Sequence, residues 1–417
     1  MSPTPDQSAR RASLGFLEFL LLMAAMMATQ AVAVDGILPA LPTIATALQL
    51  SDANLGQLIV TSYVLGIGIG QLPWGVLSDR YGRRPVLLTG LFLYVLAALL
   101  CALSRSFVAL LLWRVLHGIA SASLVVTRAT IRDRYSGSQM ARVMSLTFIV
   151  FLMVPMLAPS IGQLILWLAP WRYIFGFFAG FSALVLVWVW LRLPETLHPE
   201  YRLMLDWRHI LRATRIVVGT RQSLCYTLAA TLMLGSVFAY VGMMPQIFAE
   251  VFHLPRLMPA IFALCAGGMA VAAYLNSRNV EHIGMRAISH STLLAFILIA
   301  AGHATVAAAS GENLATFIVF QALTMACFSP TVANFGALAM EPLGAIAGLG
   351  AALQGLMTTC GGALLGALVG RFFNRTTLPL SLGALLCGVL ALCCVLLAEK
   401  GRLFESYRDP RLAQPQP

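Results

Sequence analysis

Two residues of opposite charge fall deep inside apolar stretches of this 417-residue chain, Asp35 and Arg114. Asp35 ends the apolar run that begins at Leu17, about seven residues or ~10 Å short of the far end of a first membrane span. Arg114 lies about seven residues into a span that runs the opposite way, so the two reach similar depth. A carboxylate and a guanidinium too deep to snorkel normally find partners inside the bundle, and the expectation is that these two face each other, directly or through water. Such a carboxylate can carry a proton, because desolvation favours the neutral acid while an approaching arginine favours the anion. Exposure to the outside loads the proton; exposure to the inside, or arrival of a cationic or polar solute, discharges it. A protein that binds proton and solute exclusively of one another turns a proton gradient into solute movement. A static buried pair that only fixes helix packing is the competing account.

His117 stands three residues after Arg114 on the same helical face, placed for hydrogen bonding in a pocket rather than for proton relay. Glu18 lies within a residue or two of the inner end of the first span, an interfacial position, and His303 is expected at the outer interface. Tyr63, Phe238, Tyr240, Gln321, Phe328, Asn334 and Gln354 also fall within spans, and with His117 they form a candidate group for lining a mostly apolar substrate cavity with a few polar groups. The eight cysteines lie in spans without metal-ligand spacing and read as packing residues, so no metal and no cofactor is expected. The only lysine is Lys400, preceded by Glu399, which excludes a Gly-x4-Gly-Lys-Ser/Thr phosphate loop and with it an ATP-driven pump. No cluster of nucleophile, base or metal ligands falls within the spans, so the chain does not read as an enzyme.

The elements that must position these residues are membrane helices. Fifty-nine per cent of the chain is apolar and ten per cent charged, too little polar surface to cover a soluble core of this length. The runs Leu17 to Asp35, Val86 to Leu103, Tyr173 to Leu191 and Leu378 to Leu397 are each long enough to cross ~30 Å of hydrocarbon and show no period-two alternation. Twelve spans are expected, at 17–41, 54–77, 86–104, 107–129, 140–165, 173–192, 222–245, 257–275, 287–308, 313–340, 344–370 and 378–397. Of the 27 basic residues, Arg105, Arg172, Arg256, Arg371 and Arg375 fall on one side, Arg114 lies deep within a span, and the other 21 fall on the opposite side or, like Arg128 and Arg192, in the last residues of a span at that side. By the positive-inside rule that side is the cytoplasm and holds both termini. The net charge of +11 then needs no nucleic acid to account for it.

The polar interval 193–221 divides the spans into an N-terminal half, 17–192, and a C-terminal half, 222–397, flanked by tails at 1–16 and 398–417. Within the interval Arg208, Leu211, Arg212 and Arg215 share a helical face, which suits either a surface helix on anionic headgroups or a solvated linker. A six-plus-six layout is that of a duplicated transporter. The connection Gly75-Val-Leu-Ser-Asp79-Arg80-Tyr-Gly82-Arg83-Arg84 has a weak echo between the eighth and ninth spans, from Asn276 to Arg286, which lacks the aspartate. In the first copy Gly75 allows close helix approach, Gly82 a tight turn, and Asp79 can pair with arginine. Such a network at a helix end can latch one conformation and release in another.

That segment resembles the signature loop of the major facilitator superfamily at Gly75, Leu77, Asp79, Arg80, Gly82, Arg83 and Arg84. Asp35-Gly-Ile-Leu-Pro39-Ala-Leu-Pro42 resembles the first-helix motif of its drug:proton antiporters, and Arg114-Val-Leu-His117-Gly118 their fourth-helix motif, in which the family often has glutamine where His117 stands. Arg128-Ala-Thr-Ile-Arg132-Asp133, Ala158-Pro159-Ser-Ile-Gly162, Trp171-Arg172-Tyr-Ile-Phe and Pro194-Glu195-Thr196 are similar to the Bcr/CflA branch. The resemblance implies an all-α fold of twelve helices in two pseudo-symmetric halves, and multidrug efflux across a bacterial inner membrane by proton antiport, with antibiotic resistance as its consequence. It implies Asp35 and Arg114 as the proton-coupling pair and Pro159 with Gly162 as a kink between halves. Some relatives carry a second acid two turns before Asp35, where this chain has Met27. The partners expected are a small organic solute, protons and the bilayer, with a monomer sufficient. Proton symport or uniport of a small metabolite is the second reading.

Overall fold

A computed structural model describes residues 14–135, 137–198, 200, 207–309 and 312–404. Most of both expected tails and part of the polar interval, Arg202 included, lie outside the described residues. Among the described residues fifteen α-helices follow in chain order: α1 (Phe16–Asp35), α2 (Leu41–Ala47), α3 (Leu58–Tyr81), α4 (Arg83–Leu103), α5 (Phe107–Ser121), α6 (Val126–Arg134), α7 (Gly137–Leu168), α8 (Arg172–Arg192), α9 (Trp207–Gly219), α10 (Arg221–Gln246), α11 (Met258–Ile283), α12 (Met285–Ala309), α13 (Leu314–Met340), α14 (Ala347–Gly370) and α15 (Leu378–Ala398). Helices apolar all round leave no polar face for water, so they satisfy their backbone internally and turn side chains to lipid. Leu103, Leu168, Leu184 and Leu298 are each more than seventy per cent exposed, as lipid-facing residues must be. Among the described residues eleven helical stretches are long and apolar enough to cross a membrane, and α7 adds the apolar stretch Met156–Leu168.

α1 packs on α7 and α8, α3 on α5, and α4 on α5 and α8; later in the chain α10 packs on α13, α14 and α15, and α12 on α13 and α15. The first six spans meet the last six along two seams, α3 with α14 and α7 with α11. The expected span positions agree with these helices, but several helices run further. The first expected span, 17–41, is broken: α1 stops at Asp35, a 3-10 turn covers Leu38–Ala40, and α2 extends the span to Ala47. Pro39 has no N–H to give the Asp35 carbonyl four residues back, and Pro42 none for Leu38, so the break falls here. The extension leaves Asp35 twelve residues before the end of the span, deeper than the sequence reading placed it. The fourth span is interrupted too, by a 3-10 turn at Ala122–Val125 between α5 and α6. By contrast α7 is helical throughout, Pro159 included.

The polar interval contains helix α9, whose Ala213 and Val217 are buried against Leu343 and Leu353 while Leu211, Arg212 and Arg215 stay exposed. His303 departs from its expected interfacial place. It is two per cent exposed and pairs through Nε2 with Glu312, whose carboxylate also accepts from the Thr377 hydroxyl at 2.5 Å. Glu18 is partly exposed and takes Arg192 in a two-pronged pair, both contacts at 2.6 Å. Gly82 separates α3 from α4 at φ +102°, and a Cβ there would fall on the Glu195 carboxylate. Gly82→Ala is therefore expected to lower stability by about 1–3 kcal/mol, read as a drop in the thermal unfolding midpoint in detergent.

Candidate functional site

Four polar side chains converge in the middle of the first six helices. Arg114 and His117 on α5, Tyr63 on α3 and Tyr94 on α4 are each one per cent exposed or less. The Arg114 guanidinium donates from Nε to the Ile59 carbonyl at 3.0 Å and from Nη2 to the Ala33 carbonyl at 3.1 Å, joining α3 to α1. Its Nη1 meets His117 Nδ1 at 3.3 Å, and its plane lies over the Tyr63 ring, 4.2 Å from the centroid. The Tyr63 hydroxyl donates to Ser121 Oγ at 2.8 Å, where α5 ends, and Tyr94 donates to the Thr29 carbonyl at 3.0 Å. His117 packs between both tyrosine rings, with Nε2 buried and unbonded. Because guanidinium N–H groups only donate, His117 accepts at Nδ1 and carries its proton on Nε2.

Asp35 is not in this cluster. It is six per cent exposed and makes no ion pair or hydrogen bond among the described residues. The expected direct pairing with Arg114 is absent because the arginine's donors go to backbone carbonyls and His117. Two helical positions separate Ala33 from Asp35, which turns the Asp35 side chain about 200° away from the residue whose carbonyl Arg114 holds. Asp35 instead lies within electrostatic reach of Tyr240 on α10, beyond the first six spans. Tyr240 stacks on Phe262 of α11. The turn after Asp35 is held from behind by Gly162 of α7, where a Cβ would fall on the Gly36 carbonyl oxygen.

Two cavities lie along the seams between the first six spans and the last six. One, of about 740 Å³, sits at the end that bears Asp79 and Arg83, the basic end. It is lined on one side by Met27, Gln30, Gln71, Arg128 and Arg132 and on the other by α14 and the turn before it. The second, of about 500 Å³, is at the opposite end, lined by Leu41, Thr46, Gln57, Gln246 and Glu250 among others. Asp35 lies along the first span between Gln30, which lines one cavity, and Leu41, which lines the other, and lines neither itself. Polar bonds close the seam at the second end: Gln57 Nε2 donates to Gln246 Oε1 at 2.5 Å and to the Gly370 carbonyl at 3.3 Å. Gln246 Nε2 donates to Asn54 Oδ1 at 2.9 Å, and Asn54 in turn donates to the Phe373 carbonyl at 3.2 Å.

At the basic end Arg83, although nearly buried, takes Asp79 at 2.6 Å, Asp133 at 2.8 Å and the Ser78 hydroxyl at 2.8 Å. The Arg83 and Arg84 backbone N–H groups donate to Glu195 at 2.8 and 3.2 Å, Arg84 also reaches the Trp190 carbonyl, and Arg80 lies over the Tyr81 ring. All these partners belong to the first six spans and the chain just after them. Gly75 makes no close helix approach here: a Cβ would meet nothing within 4 Å, because the residue lines the cavity.

The remaining pocket candidates do not gather at one place. Phe238 borders a small void beside Gln57 and Val60. Gln321 and Phe328 are buried on α13, Asn334 is buried and bonded to Asn276 and the Pro330 carbonyl, and Gln354 reaches the Gly336 carbonyl. Gln30, Gln71 and Tyr94 are site residues that no sequence motif singles out, and Arg128 and Arg132 stand in the sequence only as letters of the Arg128 to Asp133 motif. A basic residue four positions before another in a weakly apolar stretch was the one available signal for the arginines; nothing marked the glutamines.

Residues 19–362 match the family model of the Major Facilitator Superfamily. The "Uncharacterized MFS-type transporter YdgK" of Bacillus subtilis is 33% identical over 87% of this chain and 89% of its own length. The "Chloramphenicol resistance protein" of Pseudomonas aeruginosa is 34% identical over 60% of this chain and 59% of its own, and the "Multidrug resistance protein MdtL" of Escherichia fergusonii 27% over 94% and 98%. Among solved structures, a peptide transporter POT in complex with sulfate matches the fold with a TM-score of 0.73 at 16% identity, over 96% of this chain and 99% of that one. An Escherichia coli xylose transporter XylE in a "partially occluded inward open conformation" matches at 0.71 and 14%, over 92% and 96%. The helical architecture and these matches together make this chain a multi-pass membrane transporter belonging to the Major Facilitator Superfamily.

Proposed function

We propose that the protein exports small drug-like organic compounds across a bacterial inner membrane in exchange for protons, by alternating access, with Asp35 as the proton carrier. The observation that carries this reading is the place of Asp35: buried, without a counter-ion among the described residues, at the proline-made break that ends α1, between the stretches that line two opposite cavities. A carboxylic acid there is comfortable neutral and costly as an anion, so it loads or releases its proton as the two ends open in turn. Relatives named for chloramphenicol and multidrug resistance support drug-like cargo.

In this reading the basic end faces the cytoplasm, which places both termini there, and the protein works as a monomer of two halves, 17–192 and 222–397, joined by the linker 193–221. The cavity at the basic end and the closed Gln57–Gln246 seam opposite it support an inward-open state. The loop Gly75, Asp79, Arg80, Gly82, Arg83 and Arg84 is the latch of the opposite state, in which α14 swings towards Gly75 and fills the space now beside it. Arg114 couples to Asp35 through the backbone, by holding the α1 segment at Ala33, and comes nearer the carboxylate only if α1 turns. Pro159 and Gly162 bear on the same turn through Gly36.

The test is accumulation of dyes and antibiotics in cells stripped of other pumps, with and without an uncoupler. Lower accumulation that an uncoupler abolishes is the expected result; uptake driven by the proton gradient would establish the symport reading instead. Closure at the glutamine end has its own check. The double variant Gln57→Cys, Gln246→Cys is expected to cross-link under oxidation and stop transport, with recovery on reduction; transport at full rate in the cross-linked protein would exclude opening at that end.

A further inference from the structure

The cavity at the basic end is electrostatically lopsided. Three arginines and one aspartate line it among the described residues, and that aspartate, Asp79, is taken by Arg83. Asp133, the next acid, is also held by Arg83. Arg128 and Arg132 are left over: both are exposed, and neither makes an ion pair or hydrogen bond among the described residues. They stand one turn apart on α6, Arg128 on the inner side and Arg132 nearer the basic end. The facing wall is apolar and small, from Ile346 and Leu349 to Ala351 and Ala352. Gln71, whose amide donates to Thr359 at 3.3 Å, ties that wall to α3.

A cation with no partner beside an apolar wall selects a ligand that supplies both complements. We propose that this cavity binds an organic anion with an apolar body, its carboxylate or like acidic head seated bidentately by Arg128, with Arg132 drawing it in from the mouth. The planar guanidinium fork suits such a head, and an anion that leaves water for this cavity meets a charge already stripped of competitors. The volume of about 740 Å³ accommodates a drug-sized molecule. The assignment rests on the export reading for treating this cavity as the solute's path, and it adds the sign of the solute's charge.

The experiment uses the purified full chain in phosphatidylcholine nanodiscs and three probes on one ring system: naphthalene-1-acetate, its neutral acetamide, and 1-naphthylethylammonium. Calorimetric titration is expected to rank the acetate about tenfold or more tighter than the amide, with the ammonium weakest. Arg128→Gln is expected to erase that ranking, while Arg128→Lys, which keeps the charge but not the fork, keeps the order of the three probes with a smaller spread and shows that the fold is intact. Equal affinities in the unsubstituted protein, or a ranking that survives Arg128→Gln, would overturn the proposal. Repeating the titration with phosphatidylglycerol in the disc separates the two sources of an anionic head. Unchanged acetate affinity supports a free solute, and displacement would show a lipid headgroup as the occupant and overturn the solute assignment. Because binding is read without a gradient, anion selectivity in a protein that fails the uncoupler assay would refute export alone, and export without selectivity would refute only this inference.

Discussion

Asp35→Asn is expected to abolish proton-driven export, with dye accumulation in energised cells rising to the level of cells without the protein, while thermal stability in detergent stays level or rises. The two halves of that expectation separate the competing accounts of the residue. If Asp35 were one member of a static buried pair, removing its charge would strand the partner and cost about 3–5 kcal/mol. Among the described residues it makes no ion pair or hydrogen bond, so asparagine, nearly the same shape as the neutral acid that burial favours, strands nothing and adds no buried charge. What the substitution removes is the ability to bind and release a proton. Energised export at an undiminished rate in the variant would refute the carrier role, and a large loss of stability would bring back the static pair. Measuring proton uptake on solute addition in proteoliposomes adds a direct readout: the unsubstituted protein exchanges protons for solute and the variant does not.

The residues involved explain how far the sequence alone could be read. Span number and location follow from apolar run length, and twelve spans agree with the helices because lipid leaves a backbone no alternative to internal hydrogen bonding. The break after Asp35 was written in Pro39 and Pro42, but composition does not distinguish a kinked span from a broken one. The interruption at Ala122–Val125 has no proline or run of glycines behind it; it arises where Ser123 packs into the space left by Gly90, a tertiary contact. Depth puts Asp35 and Arg114 at comparable levels, yet depth says nothing of azimuth, and the Arg114 donors go to His117 and the Ile59 and Ala33 carbonyls rather than to Asp35. His303 looked interfacial because Glu312, its partner, falls in a short polar turn whose burial only the packed bundle shows. In the Gly75 to Arg84 loop the Gly82 turn and the pairing of Asp79 with an arginine were legible residue by residue, but Gly75 faces a cavity rather than a helix, which only the packed bundle shows.

Arg114→Lys is expected to lower the unfolding midpoint and to reduce export at least tenfold, although it keeps the charge. The guanidinium makes three contacts in fixed directions and covers the Tyr63 ring. A lysine ammonium is a point donor on a flexible stem and cannot lie flat on Tyr63 while reaching the carbonyls of both Ala33 and Ile59. Each buried acceptor left without its donor costs about 1–3 kcal/mol. In the proposed export mechanism the Ala33 bond matters most, because it holds the last turn of α1 and therefore the direction in which Asp35 points. Loss of that bond lets the carboxylate swing without changing its chemistry, so the variant should retain proton binding but lose the linkage between proton and solute. In proteoliposomes this reads as proton leak or unexchanged solute, where Asp35→Asn shows neither. His117→Gln offers the contrast. Its side-chain oxygen can still accept from Nη1, so stability and export should stay within about twofold of the unsubstituted protein. A lysine variant with normal stability and tight coupling would remove Arg114 from the machinery and leave the orientation of Asp35 to Pro39 and Gly162 alone.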